Sequence, residues 1–259
     1  MENVERPNIY TSRLQKGGAL LEVMRALCLA WEEGKGDPLQ LALHVASLPG
    51  RHRAQDVIRR TFVPRLVDSN PADLWRTAAA LERASADRSI VVPLHYYLTA
   101  DSEPLLWDFV ADELFPLAGS GQEVNTARMV RFIDSKPDEC FGGRRWTPTV
   151  TTKVARGVLA ALRDYGVLVG ASKKKLSSLY LPVESFALLC RIRYDLGHRG
   201  EAVLGDPVWK LFFLAQNAVD RFLLEATARR LLRYETAGPV VRIEFPVMSL
   251  EEYAEFTVR

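Results

Sequence analysis

Cysteine and histidine are both scarce in this chain, with three of the first and four of the second among 259 residues. Cys28, Cys140 and Cys190 lie far apart and are odd in number, and none stands at zinc-ligand spacing from another cysteine or a histidine. That argues against a disulfide framework or a metal knuckle and fits a reducing compartment. Cys28 and Cys190 fall inside apolar helical runs and read as inert core residues. His44, His52, His95 and His198 are isolated, and His95 reads as a buried, hydrogen-bonded side chain.

Catalytic motifs are missing too. Gly17-Gly18 and Gly142-Gly143 lack the Lys-Ser/Thr context of a phosphate-binding loop, and neither G-x-S-x-G nor H-E-x-x-H occurs. Asp108, Asp112 and Glu113 share a helix at spacings compatible with a metal face, but a solvated face opposite Leu106, Phe109 and Val110 explains them equally well. The expectation is a non-enzyme with no catalytic residues, no metal and no cofactor.

Long apolar runs are absent. The stretch Val208 to Ala215 is broken by Lys210 and falls far short of a bilayer core of about 30 Å. The opening Met1-Glu2-Asn3-Val4-Glu5 is polar, unlike a signal peptide. A soluble, cytoplasmic protein without a membrane partner is expected. Net charge is also slight, with 34 basic against 32 acidic residues giving +2.

What is present is helical periodicity. Leu20, Leu21, Met24, Leu27, Cys28 and Trp31 predict one helix from about Leu14 to Glu33, ended by Gly34-Lys35-Gly36. Asp37-Pro38 predicts the next start. Another helix is expected from about Arg53 to Val67, with Pro64 kinking or ending it early. Asn70-Pro71-Ala72-Asp73 opens a helix carrying Leu74, Trp75, Ala78 and Leu81, and two more follow near residues 90–98 and 104–114. Gly119-Ser120-Gly121 reads as a linker.

Beyond it the grammar changes. A helix near 125–135, a polar turn and a helix from about Val150 to Tyr165 closed by Gly166 precede two strands, Val167 to Val169 and Leu176 to Leu181, with a turn between. This is the order of a winged helix-turn-helix. A weaker echo follows, with helices at 206–213 and 217–230 and a hairpin from 231 to 245. The fold expected is mainly α: an N-terminal helical domain (1–120), a winged-helix module (121–183), and a C-terminal helix-plus-hairpin domain (184–259).

Charge is unevenly spread. Between Phe141 and Tyr180 stand Arg144, Arg145, Lys153, Arg156, Arg163, Lys173, Lys174 and Lys175 against Asp164 alone, about +7, whereas Asp87 to Glu139 is about −6. Such separation aims one face at a polyanion. The start of the second helix carries Thr147, Thr149, Thr151, Thr152, Lys153 and Arg156, where such modules meet the major groove. Arg144 and Arg145 precede it, and Lys173, Lys174 and Lys175 are expected at the hairpin tip, against phosphates. Trp146 reads as packing. Arg51, Arg53, Arg59 and Arg60, with Arg65, form a possible secondary contact.

Several of these residues resemble the BrxA family of bacterial BREX phage-defence systems. Tyr10-Thr11-Ser12-Arg13-Leu14, the pair Gly17-Gly18 and a helix containing Glu22 resemble its opening. Arg60 and Arg65 within Arg59–Leu66 resemble its next segment. Trp146-Thr147-Pro148-Thr149-Val150-Thr151-Thr152-Lys153, leading to Leu162 and Gly166-Val167-Leu168, is similar to its central module. The resemblance covers about residues 10–183. It implies a small, non-catalytic double-stranded-DNA-binding component acting beside a methyltransferase, a phosphatase-like protein and ATPases. A scaffold that binds other defence proteins through the same surfaces is the alternative.

Overall fold

The computed structural model describes residues 9–31, 50–84, 87–171, 173–238 and 240–259. The expected turn at Gly34 to Gly36, the helix start at Asp37-Pro38, and His44 lie outside them. The described chain is mainly helical with a few short antiparallel strands, as expected. It divides into two compact units that do not follow chain order. The larger gathers Glu22–His95 and Tyr180–Arg259; the smaller gathers Glu5–Leu21 with Tyr96–Leu179.

The helix expected from Leu14 to Glu33 is two elements. Arg13–Lys16 is a 3-10 turn, and α1 (Leu21–Ala30) begins only after Gly17 and Gly18. Gly18 takes a φ of +60°, a left-handed conformation that a continuous helix cannot contain. α2 (Arg51–Val57) runs directly into a π-helical stretch, Ile58–Val67, that contains Pro64. The proline therefore neither ends nor interrupts the run. Wider i→i+5 winding, seen in the bond from the Asp68 N–H to the Val63 carbonyl at 2.8 Å, accommodates a ring that would clash in an α-helix.

In the larger unit, α3 (Leu74–Ala84) buries Leu74, Trp75, Ala78 and Leu81, the apolar positions read from its sequence. Glu82 is buried there as well, accepting from Arg25 Nε at 2.7 Å and facing His95 Nε2 at 3.0 Å. His95 is thus the buried, hydrogen-bonded residue expected. It sits in α4 (Arg88–Ser102), which is followed by α5 (Pro104–Asp108) and a π-helical turn, Phe109–Leu114.

The smaller unit holds a three-stranded antiparallel sheet in the order β1-β3-β2, from β1 (Glu123–Val124), β2 (Leu168–Val169) and β3 (Lys174–Leu176). Two helices, α6 (Thr126–Ser135) and α7 (Pro148–Asp164), lie between β1 and β2 in the chain and pack on each other. The returning strand is three residues long and starts at Lys174, so the strand expected from Leu176 to Leu181 is shifted and shortened. Its register explains why: Lys174 and Lys175 pair with Val124 and Glu123 of β1.

The rest of the larger unit is α8 (Val183–Asp195), α9 (Glu201–Leu204), a 3-10 turn at Pro207–Phe212, α10 (Gln216–Ala228), the hairpin β4 (Arg233–Ala237) and β5 (Val240–Glu244), and α11 (Leu250–Phe256). Phe186 of α8 stacks on Trp209 and Phe222 at 4.6 and 4.9 Å. The hairpin pairs Tyr234 with Ile243, so the two strands expected in this segment are present. Arg191 holds Asp195 and donates to the carbonyls of Pro246 and Met248, tying the segment after the hairpin to α8.

Candidate nucleic-acid interface

The sequence Thr147-Pro148 fixes where α7 begins. Thr147 is extended, its hydroxyl accepts from the Val150 N–H at 3.4 Å, and Pro148 takes the first helical position, where no N–H is needed. At the far end Gly166 adopts φ +77°, letting its own N–H reach the Arg163 carbonyl and the Val167 N–H reach that of Leu162. This double bond is a Schellman stop, available cheaply only to glycine. Between these ends Val154, Ala155, Val158, Leu159 and Leu162 are buried, leaving Thr149, Lys153 and Arg156 on one exposed face.

The threonines of this start divide in role. Thr147 is the helix cap, Thr152 turns its hydroxyl back to the Pro148 carbonyl at 2.9 Å, and Thr151 is only 6 % exposed. Thr151 is therefore removed from any surface, whereas Thr149 is exposed.

The cations divide as well. Arg145 donates to Asp138 at 2.5 Å and to the Lys136 carbonyl, and lies 4.7 Å over the Phe141 ring. Trp146 packs edge-on against that ring at 5.2 Å, the packing role expected of it. Lys174 lies in β3, half-buried, and donates to the Ala171 carbonyl at 2.6 Å. The lysine triplet is thus not a hairpin tip. Gly170, at φ +105° and with the Lys173 carbonyl 2.3 Å from where a Cβ would stand, makes the turn so tight that only Lys173 remains in it. Lys175 projects from β3 between Val169 and Glu123, its cross-strand neighbours.

What remains is a set of exposed cations. The side chains of Arg144, Lys153, Arg156, Lys173 and Lys175 have no hydrogen bond or ion pair among the described residues. The second cluster is weaker. Arg53 and Arg60 lie 3.7 and 3.1 Å from Asp56, and Arg65 is buried, which leaves Arg51 and Arg59 as exposed cations without an ion pair among the described residues.

One feature of the site went unread in the sequence. An open cleft of about 300 Å³ lies between α7 and the Arg13–Lys16 turn, lined by Leu14, Gln15, Gly17, Gly18, Lys153, Arg156, Gly157 and Ala160. The only signal for it was the Gly17-Gly18 pair.

The acids once compatible with a metal face are otherwise engaged. Asp108 accepts from Tyr10 at 2.8 Å, Asp112 pairs with Lys136 at 2.9 Å, and Glu113 pairs with Arg128 at 2.6 Å. Among the described residues no cluster of three metal-ligating side chains occurs, and no helix is long and apolar enough to cross a membrane. Cys28 and Cys190 are fully buried, and desolvation raises both thiols far above their usual range, so neither is a nucleophile.

No curated protein and no solved structure matches the chain. The BrxA family does, over residues 8–192, a span that contains both α7 and the turn beside it. The chain belongs to the BrxA family, and is thereby a component of the BREX phage-defence type.

Proposed function

We propose that β1, α6, α7, β2 and β3 act as a winged helix that grips double-stranded DNA without catalysis and with little sequence preference. The observation that carries this reading is the set of unneutralised cations along α7 and in the β2–β3 hairpin. Neighbouring Arg145 and Arg163 are held by Asp138 and Asp164, whereas Lys153, Arg156, Lys173 and Lys175 are not. Cations left without counterions face water until they neutralise backbone phosphates, whose condensed counterions are then released into solution. Thr149 and the positive end of α7 add donors suited to phosphate oxygens.

In this arrangement α7 enters the major groove by its first two turns, and Lys173 and Lys175 meet the adjacent backbone. The contacts are mostly to phosphate, which positions the protein without reading bases. The partner proteins are other members of the same defence system.

The test is duplex binding by the purified chain and by a variant carrying Arg156→Ala, Lys173→Glu and Lys175→Glu. The wild type retards duplexes of unrelated sequence alike. The variant keeps its thermal melt and loses the shift. Unchanged binding by that variant moves the interface to Arg51 and Arg59.

A second reading, a scaffold for other defence proteins, draws on apolar side chains left exposed in the larger unit. Leu224, Val240 and Val247 are 54, 63 and 105 % exposed. On that reading duplex DNA produces no shift at all.

A further inference from the structure

The segment from Tyr10 to Gly18 belongs to the smaller unit and is held there by polar as well as apolar contacts. Tyr10 donates to Asp108 at 2.8 Å, its N–H reaches the Cys140 carbonyl at 2.7 Å, and its ring meets Phe141 edge-on at 5.5 Å. Thr11 donates to Glu103 at 2.5 Å. Arg13 lies 2.9 Å from the same carboxylate, which is only 1 % exposed, and also donates to the Ser102 carbonyl at 2.6 Å. Leu14 then rests on α7 where Gly157 has no side chain: a Cβ there would stand 2.2 Å from the Leu14 carbonyl oxygen.

The consequence is the cleft. Its lining includes Leu14, Gly17, Gly18, Gly157 and Ala160, all uncharged and, Leu14 apart, small, together with Lys153 and Arg156 one turn apart on α7. Neither cation has a counterion among the described residues. Among the described residues no carboxylate lines the cleft. Asp164, close to Gly18, is taken by Arg163 at 2.9 Å. An open site with two cations and an otherwise neutral lining of mostly small residues suits an anionic group that arrives on a larger molecule.

We propose that this cleft seats one backbone phosphate of the bound strand, so that the Tyr10–Gly18 segment is part of the nucleic-acid interface. The inference rests on the duplex-binding reading above. Lys153 and Arg156 bond the phosphate oxygens, Gln15 donates from the opposite wall, and the glycines at 17 and 18 keep that wall low enough for the sugar-phosphate chain to pass.

The test uses the full chain, a short duplex, and a set of duplexes in which single phosphates are replaced by neutral methylphosphonate, read by fluorescence anisotropy. Ala160→Met fills the cleft without changing charge and is compatible with a helix. Gln15→Glu is a second variant, at a half-exposed position, that alters the cleft without adding bulk to α7. Each binds about tenfold more weakly than wild type, and the slope of log K against log salt becomes shallower by about 0.9, the loss of one phosphate contact. Each is also indifferent to the methylphosphonate position that weakens the wild type most.

Wild-type affinity and slope in both variants, with binding lost in Lys173→Glu/Lys175→Glu, overturns the cleft and leaves duplex binding standing. Absence of duplex binding by the wild type overturns both. Should Ala160→Met fail to melt cooperatively, Gln15→Glu decides alone.

Discussion

At 1 % side-chain exposure, the Glu82 carboxylate has lost nearly all its water, and among the described residues Arg25 and His95 replace it. Burial pushes its pKa up, but the hydrogen bonds from His95 and Arg25 outweigh burial and hold it below the ordinary carboxylate range. A folded-state pKa below the unfolded one means stability that is present above the unfolded value of about 4.3 and lost as pH falls through the folded value. Thermal melts should therefore fall more steeply below about pH 4 in the wild type than in Glu82→Gln. At neutral pH, Glu82→Ala takes the carboxylate from buried His95 and leaves half-buried Arg25 only Glu22 among the described residues, and should cost about 1–3 kcal/mol in urea unfolding. A loss under about 0.5 kcal/mol, the size of a surface change, would show the cluster to be dispensable. Thr147→Ala removes a cap and should cost about 1 kcal/mol, whereas Thr147→Asp keeps the cap and most of that stability.

Element by element, α7 was legible because three signals agree on it: a Thr-Pro start, an apolar stripe, and Gly166 at its end. α8 was read only as an apolar helical run around Cys190, without bounds, for the opposite reason. Val183, Phe186, Ala187, Leu188, Leu189, Cys190 and Ile192 are all buried, so no polar stripe marks its period. The Arg13–Lys16 turn was misread because Leu14 happens to lie in phase with α1, while the glycines between them break the helix. The β3 register depended on pairing with β1, which at two residues is too short to leave a sequence pattern. At this scale Gly157→Ala is the informative change. Alanine favours the helix, yet its Cβ would collide with backbone at Leu14. We expect a net destabilisation of about 1–3 kcal/mol and faster proteolysis within residues 10–18, with helix content unchanged. A stabilised variant would mean that the segment does not rest on α7.

For the molecule as a whole, the site was legible as a charge excess but not as a set of residues. Counting charges between Phe141 and Tyr180 found the basic stretch. It missed which cations are already spent, because Asp138, the partner of Arg145, lies outside that window and Asp56 pairs two arginines of the other cluster. Sorting paired from unpaired cations leaves Arg144, Lys153, Arg156, Lys173 and Lys175, and that set makes the central claim quantitative.

The most direct measurement is a salt titration of duplex affinity with the wild-type chain. If these five side chains neutralise phosphates, log K falls linearly with log salt at a slope of about −4.5, alike for duplexes of unrelated sequence. A slope near zero, or no binding at low salt, contradicts the account.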